Sequence, residues 1–393
     1  MNTLPTDLHK FIEYGLGGET FQGFVSRYEE KYNKLEIPGF TFAPTQLGYT
    51  FTQLIANVGA VALPTYVDPE SPGYEDITRT IEGKTGNIPT MKKFWRLNRV
   101  IVREKLQLAQ KLNGQIPAAL RSEFTNVFMG LLDEGIEGLI QGYYNALTNQ
   151  RHQIVSTGSF TIDSTNNPRG IKGITISFGV NVETANTGNA RWWTNADHST
   201  EGSSSDPIKD MKDEVKKIRR TNHYLGKLRL ELSKDLRDDL VGHSKVLSAV
   251  GHRLYPAAAS DQAAIDYAKN VGDDVIMDVI RRIIGVDSVA VYDSFAYVNA
   301  AGTMGNDITQ TIIPNFEPKN IAFVPDGKLG EFMGVEPLTT GYDENDVARY
   351  HGGRLVLQQR AEPKTHSIYI DSEAAQIAVP SVAQYMFVKT VTA

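Results

Sequence analysis

The pair His243–Ser244, inside "VGHSKV" (Val241 to Val246), is where this chain first offers side chains for covalent chemistry. A nucleophile elbow, Gly-x-Ser-x-Gly, uses small residues to turn a strand sharply into a helix and lift the serine hydroxyl. Here Val246 stands where the second glycine is needed, and the preceding "DLRDDL" is charged and helix-like rather than strand-like. The residues therefore read better as a helix with a solvated His/Ser face. "EGKT" (Glu82 to Thr85) matches the end of a phosphate-cradling loop, but Thr78 occupies the position of the first glycine. It reads as a charged turn in a hairpin. "DHSTE" (Asp197 to Glu201) contains ligand types for zinc or iron. The eight histidines are scattered, without a His-x-x-x-His or Glu-x-x-His pair, so a solvated loop is the simpler reading. "DENDVA" (Asp343 to Ala348) lacks the glycine and distal glutamate of a calcium loop. No cofactor, metal or catalytic residue is assigned.

"KKIRR" (Lys216 to Arg220) could touch phosphate, yet its surroundings explain it without a ligand. Asp206 is a good N-cap and Pro207 suits the first helical position, while Asp210, Asp213 and Glu214 fall in the N-terminal half. The basic residues then complement the dipole at the C-terminal end. Ile208, Met211, Val215 and Ile218 form one apolar stripe, predicting an amphipathic helix over 206–220.

Composition removes whole classes of function. The 393 residues contain no cysteine, which excludes disulfides and thiolate chemistry. A formal charge of −6 lacks the basic face of a nucleic-acid binder. The N-terminus has no signal-peptide pattern, and no apolar run approaches the roughly 20 residues of a membrane helix.

The elements read as follows. Residues 1–50 resemble an arm, with Phe11, Ile12, Phe21 and Phe24 between glycines and prolines. Residues 51–90 read as extended segments joined by turns, a hairpin with little apolar mass of its own. "NRVIVREKLQLAQKL" suits a helix. From Pro117 to about Gln150, apolar residues recur from Leu120 to Leu147 at helical spacing. That predicts a beam of some 30 residues, roughly 45 Å long, although its internal glycines each cost up to about 1 kcal/mol. "HQIVSTGSFTI" and "GITISFGV" read as strands. Helices are expected at Asp206–Arg220, Lys234–Ser248 and Ala263–Ile284. Strands are expected at "LRLEL", "SVAVYD", "IAFVPDG" and in the tail, "HSIYIDS" and "AQYMFVKTVT".

This order of elements resembles the major capsid proteins of tailed bacteriophages, with the HK97-type shell fold, in the lambda-like capsid family. "GNIPTMKKFWRLNRVIVREKL" is similar to that family's exit from an extended loop into its first helix. "SEFTNVFMGLLDEGI" with "HQIVSTGSFTID" resembles its spine helix running into a peripheral sheet. "RWWTNADHSTEGSSSDPIKDM" is similar to the entrance of its axial domain. "LRLELSKDLRDDLVGHSKVL" is similar to a strand–helix unit whose helix starts after Ser and ends near a His. "VIRRIIGVDSVAVYDSFAYVNAAG" and "NIAFVPDGKLGEFMG" resemble the later helix–strand pair and Gly-rich turn. The likeness spans roughly residues 50 to 385. Each piece is degenerate, and the order and spacing carry it.

The resemblance implies an α+β, HK97-like fold. Its parts would be an arm (1–50), an extended loop (51–98), a peripheral domain (99–190 and 366–393) with a spine helix at 117–149, and an axial domain (191–365). It implies a structural, non-enzymatic protein that self-assembles into hexamers and pentamers of an icosahedral or prolate head. The head would enclose double-stranded DNA without sequence-specific binding and form in the bacterial cytoplasm, without a membrane. Implied partners are portal, head-completion and separate scaffolding proteins, with room for a decoration protein. A built-in scaffold segment before the arm, cross-linking and N-terminal processing are all expected to be absent. Tyr66, Tyr74, Ile77 and Ile81 in the loop are the expected intersubunit contacts. The alternatives are an encapsulin-like nanocompartment shell and an α/β hydrolase built on residues 190–360.

Overall fold

The computed structural model describes residues 21–32, 37–56, 81–98, 119–168, 170–195, 198–299, 310–337, 344–362 and 367–393. In chain order the main elements begin with helix α1 (Phe21–Tyr32) and strands β1 (Phe40–Phe42), β2 (Thr50–Ala56), β3 (Ile81–Asn87) and β4 (Thr90–Asn98). Helix α2 (Ala119–Thr157) leads to β5 (Ser159–Ile162), β6 (Ile174–Ser177) and β7 (Asn181–Val182). Next come α3 (Pro207–Arg220), β8 (Leu228–Ser233), α4 (Lys234–Gly242), α5 (Ser244–Leu254), α6 (Asp261–Lys269) and α7 (Asp273–Ile284). The rest is β: β9 (Ser288–Tyr292), β10 (Phe295–Asn299), β11 (Gln310–Pro314), β12 (Asn320–Pro325), β13 (Gly330–Val335), β14 (Val347–Tyr350), β15 (Leu355–Glu362), β16 (Ser367–Pro380) and β17 (Phe387–Thr390).

The α+β class agrees with the expectation, and the elements build two apolar cores. The first lies between α2 and a six-stranded sheet ordered β1-β13-β16-β15-β14, with β4 also on β16. The stripe Ile136, Leu139/Ile140, Tyr143, Leu147 and Ile154 is buried at helical spacing. Polar groups set the register: Tyr143 Oη donates to Gln376 Oε1 (2.8 Å), and Gln150 exchanges bonds with the backbone of Gln376 and Ala378. Two of the four glycines of α2 make room for β4. A Cβ on Gly135 would lie 2.5 Å from the Trp95 indole, and one on Gly142 would meet Lys93 Nζ at 3.0 Å.

The helix has 39 residues, about 58 Å at the α-helical rise, and runs past the expected end at 149. "HQIVST", read as a strand from its β-branched residues, is its last turns. Ile154 and Val155 extend the buried stripe, and Thr157 Oγ1 donates to Gln153 O (2.7 Å). Gly158, at φ +77°, then ends the helix as its N–H bonds Ile154 O.

The second core joins a five-stranded sheet, β7-β17-β12-β8-β9, to α3, α4, α5 and α7. Helix α3 has the predicted cap, Asp206 accepting from Lys209 N (3.0 Å), and Ile208, Met211, Val215 and Ile218 are all buried. The helix expected over 234–248 is two. Its first part starts after Ser233 and ends at His243, as the resemblance implies; His243 is extended (φ −69°, ψ 129°) and caps α5. The helix expected over 263–284 is also two, interrupted at Asn270–Gly272.

The cores divide the chain differently from the expected boundaries. Strands β13, β14 and β15, placed with residues 191–365, pair with one another or with β16 in the first sheet. Strand β17, placed with the peripheral part, pairs with β12 in the second. The arm is also more than an arm: Phe21, Phe24 and Phe40 belong to the first core. Pairing partners so far apart in sequence leave no local signal. Phe11, Ile12 and "VIVREKLQLAQKL" lie outside the described residues.

The C-terminal turns of α2 plug into the second sheet. Arg151 Nη2 donates to Glu231 Oε1 on β8 (2.6 Å), with both side chains fully buried. Arg151 also donates to Pro38 O and lies over the Tyr292 ring. Asn320 Nδ2 donates to Ser156 O (2.7 Å), and Asn149 to Asn315 Oδ1 (3.0 Å).

Candidate functional site

The His/Ser pair is half-buried to buried and wired the wrong way for catalysis. His243 is 0% exposed, contrary to the expected solvated face. Its Nδ1 accepts the Lys245 amide N–H (3.2 Å), so that nitrogen carries no proton. Burial disfavours the charged ring and pushes its pKa below the usual value. In the neutral ring the proton sits on Nε2, which donates to Ser205 Oγ (3.0 Å), while that hydroxyl donates to Gly202 O (2.7 Å). A catalytic imidazole must accept the serine proton at this nitrogen. Ser244 is also engaged: its N–H and hydroxyl both donate to the Glu201 carboxylate. This arrangement is a loop clasp joining residues 201–205 to the start of α5.

The other candidates resolve similarly. Glu82 to Thr85 lie within β3, with Lys84 opposite Gln53 and Thr85 opposite Thr52, so the backbone is extended and cannot wrap a phosphate. His198 pairs with Asp239 and stacks on Trp193; Asp197 lies outside the described residues. Lys216 and Lys217 pair with Asp213 and Glu183, and Arg219 donates to Gly226 O. Asp346 accepts from Gln359; Asp343 lies outside the described residues.

What the structure offers instead is surface. The β2–β3 hairpin is bolted at its base. Phe51 is buried against Phe178 and lies over Gly86, where a Cβ would come within 2.7 Å of the ring. Gln53 Nε2 donates to Phe178 O (3.0 Å) and Pro380 O (2.7 Å). Farther out, Gly83 to Thr85 are exposed. Of the expected contact residues, Tyr66, Tyr74 and Ile77 lie outside the described residues. Ile81 opens β3 opposite Ala56.

A second surface was missed by the sequence reading. Among the described residues, strands β10 and β11 pair only with each other, Tyr297 opposite Ile312 and Phe295 opposite Pro314. One face of this ribbon presents Phe295, Tyr297 and Ile312 at 45%, 64% and 58% exposure. Neither "FAYVN" nor "QTIIP" contains a charge, and that uncharged alternation was the available signal. A two-stranded ribbon is marginal in water by itself, and an uncharged open edge invites pairing.

No family model matches the chain, and no curated protein is similar to it in sequence. Among solved structures it is similar to a phage-related protein from Bordetella bronchiseptica RB50, at 13% identity, covering 94% of this chain and 96% of that one, with a TM-score of 0.41. It is also similar to a putative prophage capsid protein from E. coli CFT073, at 12% identity, 99% and 100% coverage and a TM-score of 0.41. The mature capsid of bacteriophage PhiM1 is a third, at 9% identity, 90% and 86% coverage and a TM-score of 0.41.

Proposed function

We propose that this chain is a shell-forming structural protein, the major capsid protein of a tailed phage. The carrying observation is the pairing of a rigid two-core framework with surfaces that one copy leaves uncovered: the hairpin held at its base and the uncharged aromatic ribbon. The sequence resemblance supports the same reading. Elements without a core of their own become stable when neighbouring copies lie on them, and a shell repeats each modest contact many times.

In this reading Tyr66, Tyr74, Ile77 and Ile81 are buried by neighbours, and the long α2 is the spine that carries load from packed genome. The first core is the peripheral part and the second the axial part. Copies assemble into hexamers and pentamers of a head around double-stranded DNA, formed in the bacterial cytoplasm. The acidic balance keeps the wall from adhering to that DNA. Portal, head-completion and scaffolding proteins are partners, with a decoration protein as an optional one. The protein is not an enzyme in this account.

The test is electron microscopy with sedimentation on the purified protein, expressed alone and with its neighbouring genes. Closed shells, sheets, or rings of five or six are expected. Replacing Tyr74 and Ile77 together by Asp is expected to block assembly and leave the monomer folded. Normal shells from that variant would overturn the loop assignment, and a monomer under every condition would overturn the reading. Shells filled by a neighbouring cargo enzyme would assign a cellular compartment instead.

A further inference from the structure

An open groove of about 590 Å³ lies where α3, α5 and α6 meet, floored by Ile208, Ala249 and Ile265. Lys209, Lys212 and Lys245 line it, and none of the three pairs with a carboxylate among the described residues. The aspartates of the groove are all engaged. Asp206 caps α3, Asp213 holds Lys216 (3.1 Å), and Asp261 holds His252 (2.8 Å).

At the other end of α6 the signs reverse. The first turn of α7 carries Asp273 and Asp274, both exposed, followed by Val275 at 47% exposure. Asp274 has no cationic partner among the described residues, and Asp273 reaches only Arg237 at 3.7 Å. Two carboxylates beside an exposed valine match three lysines around an apolar floor in charge and in polarity. Within one copy no ion pair joins the two features among the described residues.

We propose that the Asp273–Val275 turn of one copy docks in the Lys209/Lys212/Lys245 groove of the next, forming a head-to-tail contact. Val275 covers the Ile208–Ala249–Ile265 floor, and Asp273 and Asp274 meet the lysines. A contact between two different patches repeats around a ring, or along an open filament if the rotation does not close. The inference rests on the shell-forming reading and names one contact within its rings. A polyanion such as nucleic acid is the competing occupant. The valine and the apolar floor favour the protein turn, because a phosphate backbone has no use for either.

The test is a charge swap read by sedimentation and electron microscopy, with thermal melts to check folding. K209E/K212E/K245E and D273K/D274K are each expected to raise the concentration needed for assembly at least about tenfold while remaining folded. Joining the five substitutions in one chain restores opposite charges across the same contact, and assembly should return to near the wild-type level. Raising the salt should weaken wild-type assembly, as exposed charge pairs are screened. The proposal is overturned if either folded charge-reversal set assembles like wild type, or if the combined, folded variant fails. It is also overturned if K209E/K212E/K245E loses binding to a duplex oligonucleotide yet assembles normally, which would give the groove to a polyanion. Wild-type protein that never assembles would overturn the shell reading itself, an outcome distinct from these.

Discussion

The joint at Arg151 and the ribbon β10–β11 are separated by few residues in space but sit at opposite extremes of restraint. Arg151 is fully buried, pairs with Glu231, donates to Pro38 O and covers Tyr292, the last residue of β9 before the chain enters the ribbon. The ribbon, three residues farther on, pairs only within itself among the described residues, touches α2 through β10, and shows an exposed aromatic face. Rigidity is concentrated where the cores meet, and apolar surface is left open where the chain projects. A protein that worked alone would gain by covering or charging such a ribbon. A protein that works as a member of an assembly needs a stiff centre and unsatisfied margins.

The largest effect should come from breaking the joint. Arg151→Met leaves Glu231 buried with only Arg229 as a cationic partner, at 2.8 Å. Removing one partner of a buried pair costs about 3–5 kcal/mol. Urea unfolding should show that loss, and a change below about 1 kcal/mol would show that the joint is not a main restraint.

A sharper comparison lies within α2. Gly135→Ala forces a methyl against Trp95 and should destabilise by about 1–3 kcal/mol. Gly138→Ala meets nothing within 4 Å and should stabilise by up to about 1 kcal/mol. Thermal melts of the two variants moving in the same direction would contradict the packing of β4 on the helix.

The histidines give a pH test. Burial, then the nearby Arg151 cation, pushes His152 down to about 2; burial, then Arg354, pushes His351 down to about 4. Their unfolded value is near 6.5. Between about 6.5 and 4 the unfolded chain therefore binds more protons, so stability is full above this window and falls as pH drops through it. His351 sits at φ +53°, a conformation that Asn also tolerates. His351→Asn should flatten the decline in stability between pH 6.5 and 4, and an unchanged slope would remove His351 from the account.

How much of this was legible depends on how local the cause is. Helix α3 was readable to the residue, because Asp206, Pro207 and the Ile208–Ile218 stripe act within a few turns. The break at His243 had no local cause: helical spacing ran on to Ser248, only the family resemblance implied a stop near a His, and the bonds that fix it come from Ser205 and Glu201 some 40 residues earlier. "HQIVST" has strand propensity that tertiary packing overrides. The first sheet joins residue 40 to residue 330, and 90 to 375, pairings with no local trace. The groove lysines come from two helices; "KKIRR" drew notice from the sequence, while Lys209, Lys212 and Lys245 did not.

The most direct measurement of the central claim is sedimentation with electron microscopy on wild type beside a Tyr297→Asp/Ile312→Asp variant, with a melt of each. The account predicts assembled wild type and a variant that melts within about 0.5 kcal/mol of it, as surface changes do, but assembles poorly. Equal assembly by both, or a variant that unfolds because the ribbon was part of the monomer's own core, would contradict it.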